Sequence, residues 1–139
     1  MRFALTTAGI ALIGLTLASC AAAREKEEIE DLAVDIARAF EEGDADKLAS
    51  LFSAECETIE EDLVPIVQFI QDNEVEVELT GVDVRNLTDN AAELHLKGTR
   101  TVNDDEMALD EEGEYHPLVK EDGDWKIADC EFFADEPAQ

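Results

Sequence analysis

Residues 74–84, EVEVELTGVDV, mark where the chain changes its hydrophobic period. Val75, Val77 and Leu79 alternate with Glu74, Glu76 and Glu78, and a period of two is that of a half-buried strand. Val82 and Val84 resume the alternation out of phase, so the Thr80-Gly81 step predicts a bulge or sharp bend. Upstream the period is helical. Ile29, Leu32, Ala33, Ile36, Ala37 and Phe40 form one apolar stripe within Arg24–Glu42, and Gly43 is a natural stop. Asp44 or Asp46 caps a short second helix with Leu48, Leu51 and Phe52 inward. Leu63–Ile70 predicts a third helix, with Pro65 better suited to its first turn than to its middle. Downstream, Asp89-Asn90 is a turn signal, and Ala92, Leu94 and Leu96 lie on one face of the next strand. Tyr115–Lys120 predicts another strand. Glu121–Asp124 is a hairpin turn, and Trp125 and Ile127 open the last strand. Helices followed by antiparallel strands make an α+β order.

The chain has 139 residues, one domain's worth. Its 45% hydrophobic content is too high for a disordered protein. Thirty-six acids face ten bases, a net charge of −26. Such a chain lacks the clustered Lys and Arg that neutralise phosphates, which excludes nucleic acid as a partner. It also excludes docking on an anionic bilayer through basic residues.

Residues 1–20, MRFALTTAGIALIGLTLASC, have a basic start, an apolar middle and small residues at the end, the layout of a secretory leader. Leu17-Ala18-Ser19-Cys20 resembles the bacterial lipobox. The resemblance implies cleavage after residue 19, lipid attachment at Cys20 and a short tether, 20–23. It implies a location in the bacterial cell envelope, at the outer membrane facing the periplasm in a Gram-negative species. The membrane is then one partner, through the lipid anchor.

Three phrases sharpen the fold: Ala39-Phe40-Glu41-Glu42-Gly43-Asp44, the short helix through Leu51-Phe52, and the closing run from Leu118 to Ile127. Over residues 24–133 they look like the nuclear transport factor 2-like superfamily, whose bent sheet forms a cystatin-like cone around the first helix. The resemblance implies a ligand pocket, where one exists, lined by Phe40, Phe52, Leu94 and Trp125. Enzymes of that fold place a carboxylate or His in the cone, whereas the inward positions here, Leu94, Leu96, Trp125 and Ile127, are apolar. His95 falls on the opposite strand face, and both His95 and His116 read as surface residues. Asp129 has the parity of Trp125 and is the best candidate for a buried carboxylate, although a strand-end position in solvent is the simpler reading. Residues 134–139 read as a frayed tail.

With Cys20 lipidated, Cys56 and Cys130 remain as an even pair in an oxidising compartment. In the fold that the resemblance implies, a helix end approaches the end of the last strand, which predicts a Cys56–Cys130 disulfide; two buried thiols are the alternative. No Cys-x-x-Cys, zinc spacing, phosphate loop or nucleophile elbow is present, so no cofactor and no metal are expected. The acid-dense run 103–114 lacks the pattern of an EF-hand loop and reads as a long exposed hairpin.

These readings lead to a non-catalytic, membrane-tethered envelope lipoprotein domain that binds an envelope protein partner or a small apolar ligand. The alternatives are a cone-fold isomerase or dehydratase and a divalent-cation binder acting through 103–114.

Overall fold

The computed structural model describes the backbone of residues 4–133 and the side chains of residues 20–133. The expected tail, 134–139, lies outside the described residues, as do the side chains of the leader. The elements are α1 (Ala4–Glu42), α2 (Ala45–Ser50), α3 (Ile59–Asp72), β1 (Val75–Arg85), β2 (Ala91–Val102), β3 (Asp105–Ala108), β4 (His116–Glu121) and β5 (Asp124–Ile127). The architecture is α+β: N-terminal helices packed on a curled antiparallel half-barrel sheet. Strand order is β1-β2-β4-β5, and β3 pairs with the far half of β2. Among the described residues, no helix is long and apolar enough to cross a membrane.

The first helix begins well before Arg24, but the stripe read from its sequence is the face it buries. Ile29, Leu32, Ala33, Ile36 and Phe40 are all in the core. The helix ends at Gly43, whose φ of 65° is open to a residue without Cβ. Two tight bonds close it, Gly43 N–H to the Phe40 carbonyl at 3.1 Å and Asp44 N–H to the Ala39 carbonyl at 3.0 Å. Asp44 then turns from terminator to initiator: its Oδ1 accepts from Lys47 N–H at 3.1 Å and caps α2.

The third helix starts at Ile59, four residues before the apolar run, so Pro65 sits in its interior and not in its first turn. The reason this is tolerated is local. Proline removes the bond to the carbonyl of Glu61, and both residues face solvent, where water satisfies that carbonyl.

The bend in the sheet has a defined origin. Leu79 pairs with Gly98 but Gly81 pairs with Lys97, so Thr80 is an extra residue in β1. Opposite it, Gly98 has a φ of 143°, and a Cβ there would lie 2.0 Å from the Glu78 carbonyl oxygen. Only glycine permits strands β1 and β2 to fold over at that point. The acid-dense run is a hairpin: Asn103 and Asp104, at φ of 50° and 74°, reverse β2 into β3.

The far edge of the sheet is closed by the chain after α2. Ser53 N–H donates to the Ile127 carbonyl and Ile127 N–H to the Leu51 carbonyl, both at 2.8 Å. A disulfide joins Cys56 to Cys130 beside this bridge. Beneath it, Ile29, Leu48, Leu63, Leu94, Leu118 and Ile127 form the fully buried centre.

Candidate functional site

Two features stand out against this frame: a buried ionic cluster and the groove beside it. His116, the first residue of β4, is buried, and the reading of it as a surface residue is corrected. Sequence reasoning missed it because its neighbours Glu114 and Pro117 are exposed and its partners come from distant segments. Its Nδ1 lies 2.9 Å from Oδ2 of Asp129, after β5. Its Nε2 lies 2.9 Å from Oδ1 of Asp110, in the loop after β3. Phe132 covers the ring, with centroids 4.3 Å apart.

A neutral imidazole has one donor and one acceptor nitrogen, so it cannot satisfy two carboxylates. His116 is therefore an imidazolium that donates on both sides. Burial is the largest single influence and favours the neutral ring. The hydrogen bonds and charges of Asp110 and Asp129 together outweigh it, and the pKa rises from 6.5 to about 9. Asp110 is itself fixed, because its Oδ2 accepts from Leu96 N–H at 2.7 Å. Asp129, read as a strand-end residue in solvent with a buried carboxylate as the alternative, is part-exposed, and its partner is His116. Asp110, Glu114 and His116 each bring one ligand-type atom within 4.8 Å of the others, but His116 already uses Nε2 on Asp110. With both nitrogens engaged and the proton held, His116 has no free lone pair to act as a base. The cluster's evident work is to tie three segments together.

His95 faces away from Leu94 and Leu96, as the alternation required. Its Nδ1 meets the Glu114 carbonyl at 2.6 Å, and its ring lies beside Tyr115, which also carries the Arg85 guanidinium 3.7 Å above it.

The groove is a cleft of about 320 Å³ between α1, the bent sheet and the last residues described. Ile36, Phe40, Leu96, Leu109, Phe132 and Phe133 supply its apolar surface, and Arg100, Asp110, Glu111 and Glu114 its polar surface. Burial lowers the pKa of Arg100. Phe133 stacks on Phe40 at 5.3 Å and also approaches Phe52 at 5.9 Å.

The four side chains proposed from sequence as a pocket do not come together in one. Phe40 lines the cleft. Phe52 and Leu94 are packed in the core beneath it. Trp125 lines a different depression, and its indole N–H donates to Glu25 at 2.8 Å. Lys120 reaches the same carboxylate at 2.7 Å, and this bond, ahead of the opposing effect of burial, lowers the Glu25 pKa. The physical reason for the separation is the filled centre: leucines and isoleucines occupy the space a cone-shaped pocket would need. Cys20 is exposed on α1.

A family model described as the anti-sigma-I factor RsgI9 C-terminal domain matches residues 34–133. No curated protein matches the chain by sequence. Among solved structures, a variant of Rv3472, a protein of unknown function from Mycobacterium tuberculosis, is similar with a TM-score of 0.60. It is 14% identical, and the match covers 75% of this chain and 68% of that one, a likeness of fold alone. The family match corrects the sequence reading of function. Its family is regulatory, which overturns the membrane-tethered outer-membrane lipoprotein, and with it the isomerase or dehydratase and the cation binder through 103–114.

Proposed function

We propose that this domain has a regulatory role exerted through a protein partner, on the premise that the chain belongs to the anti-sigma-I factor RsgI9 C-terminal domain family. The match over residues 34–133 is the observation that carries the reading, because it spans all the strands and the whole groove. Anti-sigma factors bind sigma factors, so the output of such a system is a change in transcription. The ionic cluster supports a role without catalysis: the buried His116 has both nitrogens committed to carboxylates. The Cys56–Cys130 disulfide supports a working place outside the reducing cytosol, with this domain at the input end of the system. At the finer level of fold, the sheet curled over α1 supports the nuclear transport factor 2-like cone.

The test is a transcript profile of the source cell with and without the gene. Loss of the protein is expected to move a set of genes that share one promoter pattern in a common direction. An unaltered profile would remove the regulatory reading.

A further inference from the structure

Large apolar side chains are exposed at three positions among the described residues: Val34, Val64 and Met107. Two of the three belong to one feature. Met107, 49% exposed, stands at one end of the cleft. Val34, 42% exposed, stands in a second depression of about 300 Å³ between α1 and β1. The two depressions share Ala37 and Val77, so they meet there as one groove across adjoining faces of the same stretch of α1. A two-part groove with an apolar floor and an exposed apolar residue in each part suits a chain segment better than a compact small molecule. Met107 is also the adaptable kind of side chain that such surfaces use.

The charge narrows the occupant. Four acids line the groove, Glu41, Asp110, Glu111 and Glu114, against Arg38 and Arg100, and of the acids Asp110 is already paired with His116. The molecule behind it carries −26, which repels a second copy and attracts a cationic segment. We infer that this groove seats a segment of the protein partner that carries one or two large apolar side chains next to Lys or Arg. This rests on the reading that the domain works through a protein.

The probe is a library of random twelve-residue peptides displayed on phage, selected against the full chain at physiological salt. Enriched peptides are expected to pair Leu, Phe or Trp with Lys or Arg. A fluorescein-labelled copy of one should bind at least tenfold more weakly to Ala37→Trp, which fills the shared middle of the groove. Binding should fall several-fold with Glu111→Lys and be unchanged by Val64→Ser, the exposed apolar position outside it. Should Ala37→Trp fail to fold, Val34→Glu tests the same groove at its solvent-exposed end, with the same loss expected. No enrichment, acidic winners, or binding indifferent to these groove variants would overturn the inference. So would a dimer in sedimentation that Ala37→Trp dissolves, because the occupant is then a second copy. In cells, wild-type transcription from an Ala37→Trp variant that no longer binds peptide would sink the groove and leave the regulatory reading standing. An unaltered transcript profile on deletion would remove that reading while peptide binding at the groove stood by itself.

Discussion

The half of the molecule under β4 and β5 and the half under β1 use the same first helix in different ways. Under β4 and β5, Leu94, Leu118 and Ile127 meet Ile29 and Leu48 with almost no exposed surface. Under β1, Val75, Val77 and Leu79 are only half-buried, and the helix presents Val34 and Ala37 to them across a groove. The sheet bends at Thr80 and Gly98, and β1 lies against α1 through valine and alanine side chains too small to exclude water between them. Stability is concentrated on the filled side, and unsatisfied apolar surface on the open side.

The division can be broken most severely at the disulfide, which ties the filled core to the segment walling the groove. Its sequence separation is 74, for which the chain-entropy relation gives roughly 4 kcal/mol. Cys56→Ser with Cys130→Ser should lower the urea midpoint accordingly. A midpoint shifted by less than a quarter of that would show that the segment docks without the bridge. Next in size is Leu94→Ala on the filled side, expected to cost about 3 kcal/mol because the surrounding core cannot collapse into the cavity. A small loss there would mean that the filled side is looser than its burial shows.

His116 joins the two halves, and its contribution depends on pH. Its folded pKa of about 9 lies above the unfolded value near 6.5. The extra proton affinity of the folded state therefore stabilises fully below about pH 6.5 and is lost as pH rises through 9. The span is worth about 3 kcal/mol. Urea midpoints between pH 6 and 10 should fall in the wild type and flatten in His116→Gln. Parallel curves for the two proteins would place the proton elsewhere. The smallest effect belongs to the open side: Val77→Ala should cost less than about 1 kcal/mol, because that side chain is half in water already. Equal losses at Val77 and Leu94 would erase the distinction between the halves.

Much of this was legible in residues close in sequence. The stripe from Ile29 to Phe40, the stop at Gly43, the bulge at Thr80-Gly81 and the turn at Asp122-Gly123 each follow from local pattern and backbone chemistry. The start of α3 was not, because the acids from Glu60 to Asp62 carry no apolar period and helix formation there depends on packing against α2. His116 was missed for a related reason. Its two partners are six and thirteen residues away and belong to different segments, so nothing in the string signals a cluster. Phe132 and Phe133 lie after the last strand, where no period marks an inward face, and they became groove walls by packing on Phe40 and His116.

Sequence by itself determined the order of helices and strands and the apolar side of the main ones, since backbone sterics and hydrophobic period act over a few residues. Tertiary structure alone decided that the apolar faces close completely at one end and remain open at the other. That outcome depends on how a bent sheet sets its strands against one helix, a geometry set by the whole layer and by no single segment.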